Sequence, residues 1–243
     1  MRALARDIAR DVIDVLRAFA RECRTPAGLA LLGYCLLVSI DHTVLHSKWI
    51  VPVLEPFLPA AGKSTIRKAF LDVVFFGGGC ALLIVAVHRK RLRDFGLGLP
   101  ERKWVWLTAA VFAVQLVGIA IAVQIPAMRE FYPQYKAARA GGMAFWGFEA
   151  LALLAMAAWE FLNRGYLLFG LKERFGLSAV LVQLVPFVIL HRGKPTVELY
   201  FSVFDGAALG LLAYASGSIW PAVFLHGVGA FVLDLVIVYL LPR

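Results

Sequence analysis

The sequence predicts an all-α fold, a polytopic membrane helix bundle of about seven transmembrane helices. Three observations carry the prediction. Of 243 residues, 61% are hydrophobic and 17% charged, where a soluble domain sits at roughly half apolar and a quarter charged. The mean hydropathy is +0.77. The apolar residues also fall in runs, most of them near the ~20 residues that cross about 30 Å of hydrocarbon.

Taken in order, the chain begins with a charged stretch of roughly 25 residues, which is not the layout of a signal peptide. On a helix Ile8, Val12, Val15, Leu16 and Phe19 share one face, interspersed with Arg6, Arg10, Arg17 and Arg21 and with Asp7, Asp11 and Asp14. Such a helix lies on an anionic leaflet or serves as a basic flank to the first span. The expected spans are 27–44, 69–87, 104–125, 143–168, 177–190, 197–215 and 219–241. The fifth is short and contains Pro186, so a tilted or kinked helix is expected there. Polar connections separate several of the spans, at 48–68, 89–103, 126–142 and 172–176. The organisation expected is a basic amphipathic segment over 1–26, a first set of membrane helices over 27–142, and a core carrying the chemistry over 143–243.

Charge and cysteine content narrow the function. The net charge of +9 comes from Lys and Arg at the ends of apolar runs, which lipid headgroups read, so no nucleic-acid partner is implied. Six basic residues precede the first span (Arg2, Arg6, Arg10, Arg17, Arg21, Arg24) and six fill the second connection (Arg89, Lys90, Arg91, Arg93, Arg102, Lys103). With both on one side, the N-terminus is cytoplasmic and, after seven spans, the C-terminus outside. Cys23, Cys35 and Cys80 lack metal-ligand spacing and imply no disulfide framework.

Ionisable groups inside a span cost at least ~2.5 kcal/mol each, so each needs a reason. Asp41, His42 and Asp72 fall at span ends, where an interface explains them. Glu149, Glu160, Arg164, His191, Asp205, His226 and Asp234 all lie in or at the mouth of apolar helices after residue 143. Glu160 and Arg164 are four apart and meet on one helix face. Counting 1.5 Å per residue from the turns near Lys172, Phe175 and Ser216, Glu160 lies roughly 18 Å deep, His191 roughly 24 Å and His226 roughly 15 Å. One shared site accounts for a carboxylate and two imidazoles at comparable depth. Such a group activates water, with Glu160 and His191 as base and His226 donating to the developing oxyanion. The same three residues are the alternative ligand set for a divalent metal such as zinc. The chain has no His-Glu-x-x-His element, so no metal and no other cofactor is the favoured reading.

At these positions the chain resembles the CAAX protease and bacteriocin-processing family of intramembrane glutamate proteases, which includes the Ras-converting CAAX endopeptidase. That family carries Glu-Glu-x-x-x-Arg, Phe-x-x-x-His and His-x-x-x-Asn or Asp, in order. Glu160 to Arg164, followed by Gly165, matches the latter part of the first motif; Phe187 to His191 matches the second, and His226 the start of the third. Asp94-Phe95-Gly96-Leu97 looks like the family's lead-in. Two positions depart: Trp159 stands where the family has its first glutamate, and Ala230 where the third motif has Asn or Asp. Glu149, about three turns before Glu160, is the reserve carboxylate, and Asp234, two turns after His226, the substitute for the polar group at 230. Lys194 and Glu198 read as a solvated loop pair or as the lining of an entrance. The resemblance implies an intramembrane endopeptidase of a bacterial cytoplasmic (inner) membrane, cutting a membrane-anchored or hydrophobic-tailed protein near its C-terminal or membrane-proximal part. The departures leave open a non-catalytic member, a membrane scaffold or peptide-immunity protein. A transporter fits less well, because the polar groups gather in one half of the chain.

Overall fold

The computed structural model describes residues 2–46 and 64–241, with side chains described over 10–43 and 65–241. Lys48 and Lys63 of the first connection lie outside the described residues, as do the side chains of Arg2, Arg6 and Ile8. Nine helices are described: α1 (Arg2–Glu22), α2 (Pro26–His46), α3 (Thr65–His88), α4 (Arg102–Ala122), α5 (Pro126–Phe131), α6 (Gly142–Phe175), α7 (Ser178–Leu190), α8 (Thr196–Ser216) and α9 (Trp220–Leu240). Among the described residues there is no strand.

Six of these (α2, α3, α4, α6, α8 and α9) are long and apolar enough to cross a membrane. The seventh expected span is α7, 13 residues with Pro186 inside it, which reaches only about 20 Å. Two boundaries differ from those expected from sequence. The second span begins at Thr65, and the fourth does not stop at Leu168 but continues to Phe175. Lys172 is tolerated in that last turn because its ammonium donates to the Tyr214 carbonyl (3.1 Å) and lies over the Tyr214 ring. The chain then turns at Gly176, whose φ is +54.

The apolar face of α1 (Val12, Val15, Leu16 and Phe19) is exposed. A short turn follows, and Thr25 starts α2, its hydroxyl accepting from the Gly28 N–H (3.1 Å), as an N-cap does. At the other extreme α6 is the central element, packed against α2, α3, α7, α8 and α9. Its buried Leu162, Tyr166, Leu167 and Leu168 join Tyr34, Phe76 and Ile84 in the largest core cluster. α4 is the most peripheral span. Its exposed Val105, Val114, Val117 and Ile121 are what lipid contact selects, since lipid tails are as apolar as these side chains.

The lead-in segment clips the bundle at one end. Ile219 N–H donates to the Gly96 carbonyl (2.9 Å), Ser218 Oγ to the Gly98 carbonyl (2.7 Å) and the Trp220 indole to the Leu97 carbonyl (3.2 Å). These bonds orient the first turn of α9, which leads to His226. Gly96 has φ +84, and a Cβ there would lie 2.6 Å from Phe169 Cε2 and 2.9 Å from Ile219 Cγ2. Both the backbone and the space demand glycine. Gly96→Val is expected to cost about 1–3 kcal/mol, read as a lower midpoint of unfolding in detergent; an unchanged midpoint refutes the clip.

Candidate active site

The site forms where two spans change their winding and a shorter helix ends. α6 is α-helical through Glu160 and widens to i→i+5 hydrogen bonding from Phe161 to Leu168. α9 does the same from Phe224 to Val228, around His226. Wide turns of this kind recur at functional sites, because they re-aim side chains away from a regular helical register. His191 caps the C-terminus of α7, one residue beyond its last helical position.

Glu160 and Arg164 are both 0% exposed. Arg164 Nη1 donates to Glu160 Oε1 at 3.0 Å, and His226 Nδ1 lies 2.6 Å from the same oxygen. A carboxylate only accepts, so Nδ1 carries the proton, and in the neutral imidazole the His226 Nε2 lone pair points away from Glu160. His191 Nδ1 is 2.8 Å from the Phe187 carbonyl, also an acceptor only, so His191 likewise presents a bare Nε2. The two imidazoles are stacked, centroids 6.1 Å apart. Phe187 is the floor beneath them. Its ring is 4.5 Å from the His191 ring and 6.0 Å from that of His226, with the Arg164 guanidinium 3.9 Å over it.

Arg164 is also tied to α8, where the Gly206 carbonyl accepts from Arg164 Nη2 (3.4 Å) and from Gln183 Nε2 (3.2 Å). A Cβ at Gly206 would lie 2.6 Å from Phe187 Cδ1, so glycine allows α8 to approach the floor this closely. Glu160 Oε2 and Arg164 Nε are buried without a hydrogen-bond partner among the described residues.

Trp159, in the position of the missing glutamate, is held from α3, a helix that carries none of the motif residues. Its indole N–H donates to Asp72 Oδ2 (2.8 Å), and Asp72 is clamped by Lys68 at 2.7 Å. The Trp159 ring stands edge-on to His191, centroids 6.4 Å apart. Asp72 is thus a buried partner of the site's wall and not a span-end carboxylate. The sequence signal for it is the i,i+4 spacing of Lys68 and Asp72. Asn163 joins α2 to the same wall, accepting from Tyr34 Oη (3.2 Å) and donating to the Trp159 carbonyl (2.8 Å).

Other residues singled out in the sequence lie elsewhere. Glu149 and Asp234 are buried and interact with each other, about 16 Å along α6 from Glu160. They form a separate carboxyl pair, and neither joins Glu160 nor stands in at position 230. Lys194 and Glu198 pair at 2.7 Å, partly buried, and Tyr132 Oη donates to Glu198 at 2.8 Å. This is a fixed bridge between α8 and the segment after α5, not a solvated loop pair. Its phenol is pushed well above its ordinary pKa, by burial first and by the Glu198 charge second.

The alternative metal set does not fit. His226 Nδ1 and the Arg164 cation both occupy Glu160 Oε1, and a guanidinium 3.0 Å from that oxygen repels a second cation. Among the described residues no group of three or more His, Cys, Asp or Glu side chains converges on a metal position.

Comparison with known proteins bears on the same segment. Residues 141–232 match the family described as "Rce1-like: Type II CAAX prenyl endopeptidase Rce1-like". No curated protein and no solved structure matches the chain. The matched residues contain Glu160, Arg164, Phe187, His191 and His226. With six helices able to span a bilayer, the chain is an integral membrane protein whose residues 141–232 are a domain of the Rce1-like CAAX prenyl endopeptidase family, a family of intramembrane proteases.

Proposed function

We propose that the protein is an intramembrane endopeptidase in which Glu160, His226 and His191 activate water. What supports the reading is the Glu160–His226 contact of 2.6 Å on a fully buried carboxylate, beside a second imidazole that offers a bare Nε2. A water between the two Nε2 atoms donates a hydrogen to each and aims a lone pair at the substrate carbonyl. As its oxygen bonds to the carbonyl carbon, His226 Nε2 takes the proton, and Glu160 stabilises the imidazolium that forms. On collapse the C–N bond breaks and His226 returns that proton to the leaving amine. The base's work thereby moves from Glu160 with His191 to His226 backed by Glu160, while His191 orients the water.

The substrate class is a membrane-anchored or hydrophobic-tailed protein cut near its C-terminal or membrane-proximal part. We place the catalytic core at 143–243, after a membrane module over 27–142 and the basic segment 1–26, with the N-terminus cytoplasmic. The test is to express the wild type, His191→Ala and His226→Ala separately and compare membrane peptide fragments by mass spectrometry. Fragments that need both histidines are expected; the same fragments in all three samples end the proposal. A second reading, a non-catalytic scaffold or immunity protein, is favoured by Trp159, locked by Asp72 where the family carries a glutamate. It requires that a phenotype of the wild type survives His226→Ala.

A further inference from the structure

Asp205 is the ionisable group that the site does not absorb. It is the tenth residue of α8, about 14 Å from one end and about 16 Å from the other, hence near mid-span, and it is exposed. Its neighbours Tyr200, Phe201 and Phe204 are exposed too, as suits a face toward lipid. The charged or titratable groups around it are His226, Arg164 and Glu198, and it sits in a recess between α8 and α9.

Helix packing outlines that recess. Below Asp205, Leu209 and Leu212 of α8 cluster with Ala222 and Leu225 of α9. Above it, Val197 packs against the cluster of Tyr132 and Leu233, and Tyr132 ties down Glu198. Asp205 lies one turn above Leu209, and His226 directly follows Leu225, so both fall between the two contacts. His226 keeps 16% of its side chain exposed, whereas Glu160 behind it has none.

Glu160 is matched by Arg164 and Glu198 by Lys194. Among the described residues no ion pair or hydrogen bond matches Asp205, whose carboxyl stands unpaired at the opening. A lone carboxylate at this depth is costly in hydrocarbon and persists where the recess is wet and receives a cation.

We propose that Asp205 is a specificity residue: it stands at a wetted lateral opening between α8 and α9 and takes up a Lys or Arg side chain of the incoming peptide segment. The proposal deepens the protease reading and rests on it for the identity of the ligand as a peptide.

The test uses full-length protein in nanodiscs in a His191→Gln background, which the mechanism silences. The probes are fluorescent single-span Leu–Ala peptides that differ only in a central Lys, Met or Glu. The Lys peptide is expected to bind about tenfold tighter than the Met peptide. Asp205→Asn should abolish that preference, and Asp205→Lys should transfer it to the Glu peptide. Equal binding of the Lys and Met peptides, or an undiminished Lys preference in Asp205→Asn, overturns the proposal. Cleavage of the same peptides by the protein with His191 intact separates the two readings. Charge-selective binding without cleavage upholds Asp205 and counts against the protease; cleavage without charge selection does the reverse.

Discussion

Glu160→Gln is expected to lower peptide cleavage by about 10^3- to 10^4-fold, the range found when the carboxylate behind a catalytic imidazole is neutralised. An amide at position 160 can present N–H or C=O to His226, so it no longer dictates the tautomer, and it gives no charge to an imidazolium. The same change leaves Arg164, 0% exposed, as a buried cation without its partner, which costs about 3–5 kcal/mol. Loss of activity alone would therefore be ambiguous. The double variant Glu160→Gln/Arg164→Met resolves it, because removing both charges restores most of the stability while leaving the dyad broken. Unfolding in mixed micelles and initial cleavage rates are the two measurements. A stable double variant with near-native cleavage would remove Glu160 from the mechanism.

The second large effect is expected at Arg164 by itself. Arg164→Met leaves the Glu160 carboxylate buried with only a histidine beside it, again a loss of about 3–5 kcal/mol. It also removes the guanidinium stacked 3.9 Å over Phe187, a cation–π contact worth about 0.5–2 kcal/mol. Because Phe187 is the floor under both imidazoles, cleavage should fall with stability. Arg164→Lys keeps the charge but has no planar face to lie on Phe187 and no second arm for the Gly206 carbonyl. It should therefore fall between the parent and Arg164→Met in both assays. An unfolding midpoint for Arg164→Met equal to the parent's would show that Glu160 does not depend on this pair.

The residues legible in the sequence are those whose burden is local. A Glu and an Arg four apart in an apolar run announce their own pairing, and the contact at 3.0 Å is the one that helix geometry demands. The accumulation of ionisable groups after residue 143 likewise stands out from nothing more than the cost of charge in hydrocarbon. Asp72 is different, because its position near a span boundary offers a sufficient explanation for a carboxylate. What makes it part of the site wall is Trp159, on another helix, and no periodicity within either segment reports that bond. Glu149 misleads for a related reason. Sharing a helix face with Glu160 places it on the right side of α6 but three turns too far away, where Asp234 completes it.

By itself the sequence determined the class of molecule: apolar runs of near-spanning length, basic residues at their ends, and a polar second half, each a property of single segments in a bilayer. Tertiary structure alone decided which imidazole Glu160 holds, how the histidines present their bare nitrogens, and where Asp205 opens to the outside. Those depend on ring orientations and on the crossings of α6 through α9, separated by tens of residues. Depth arithmetic gives height along a helix axis, but the angle around the axis is fixed only when the neighbours pack.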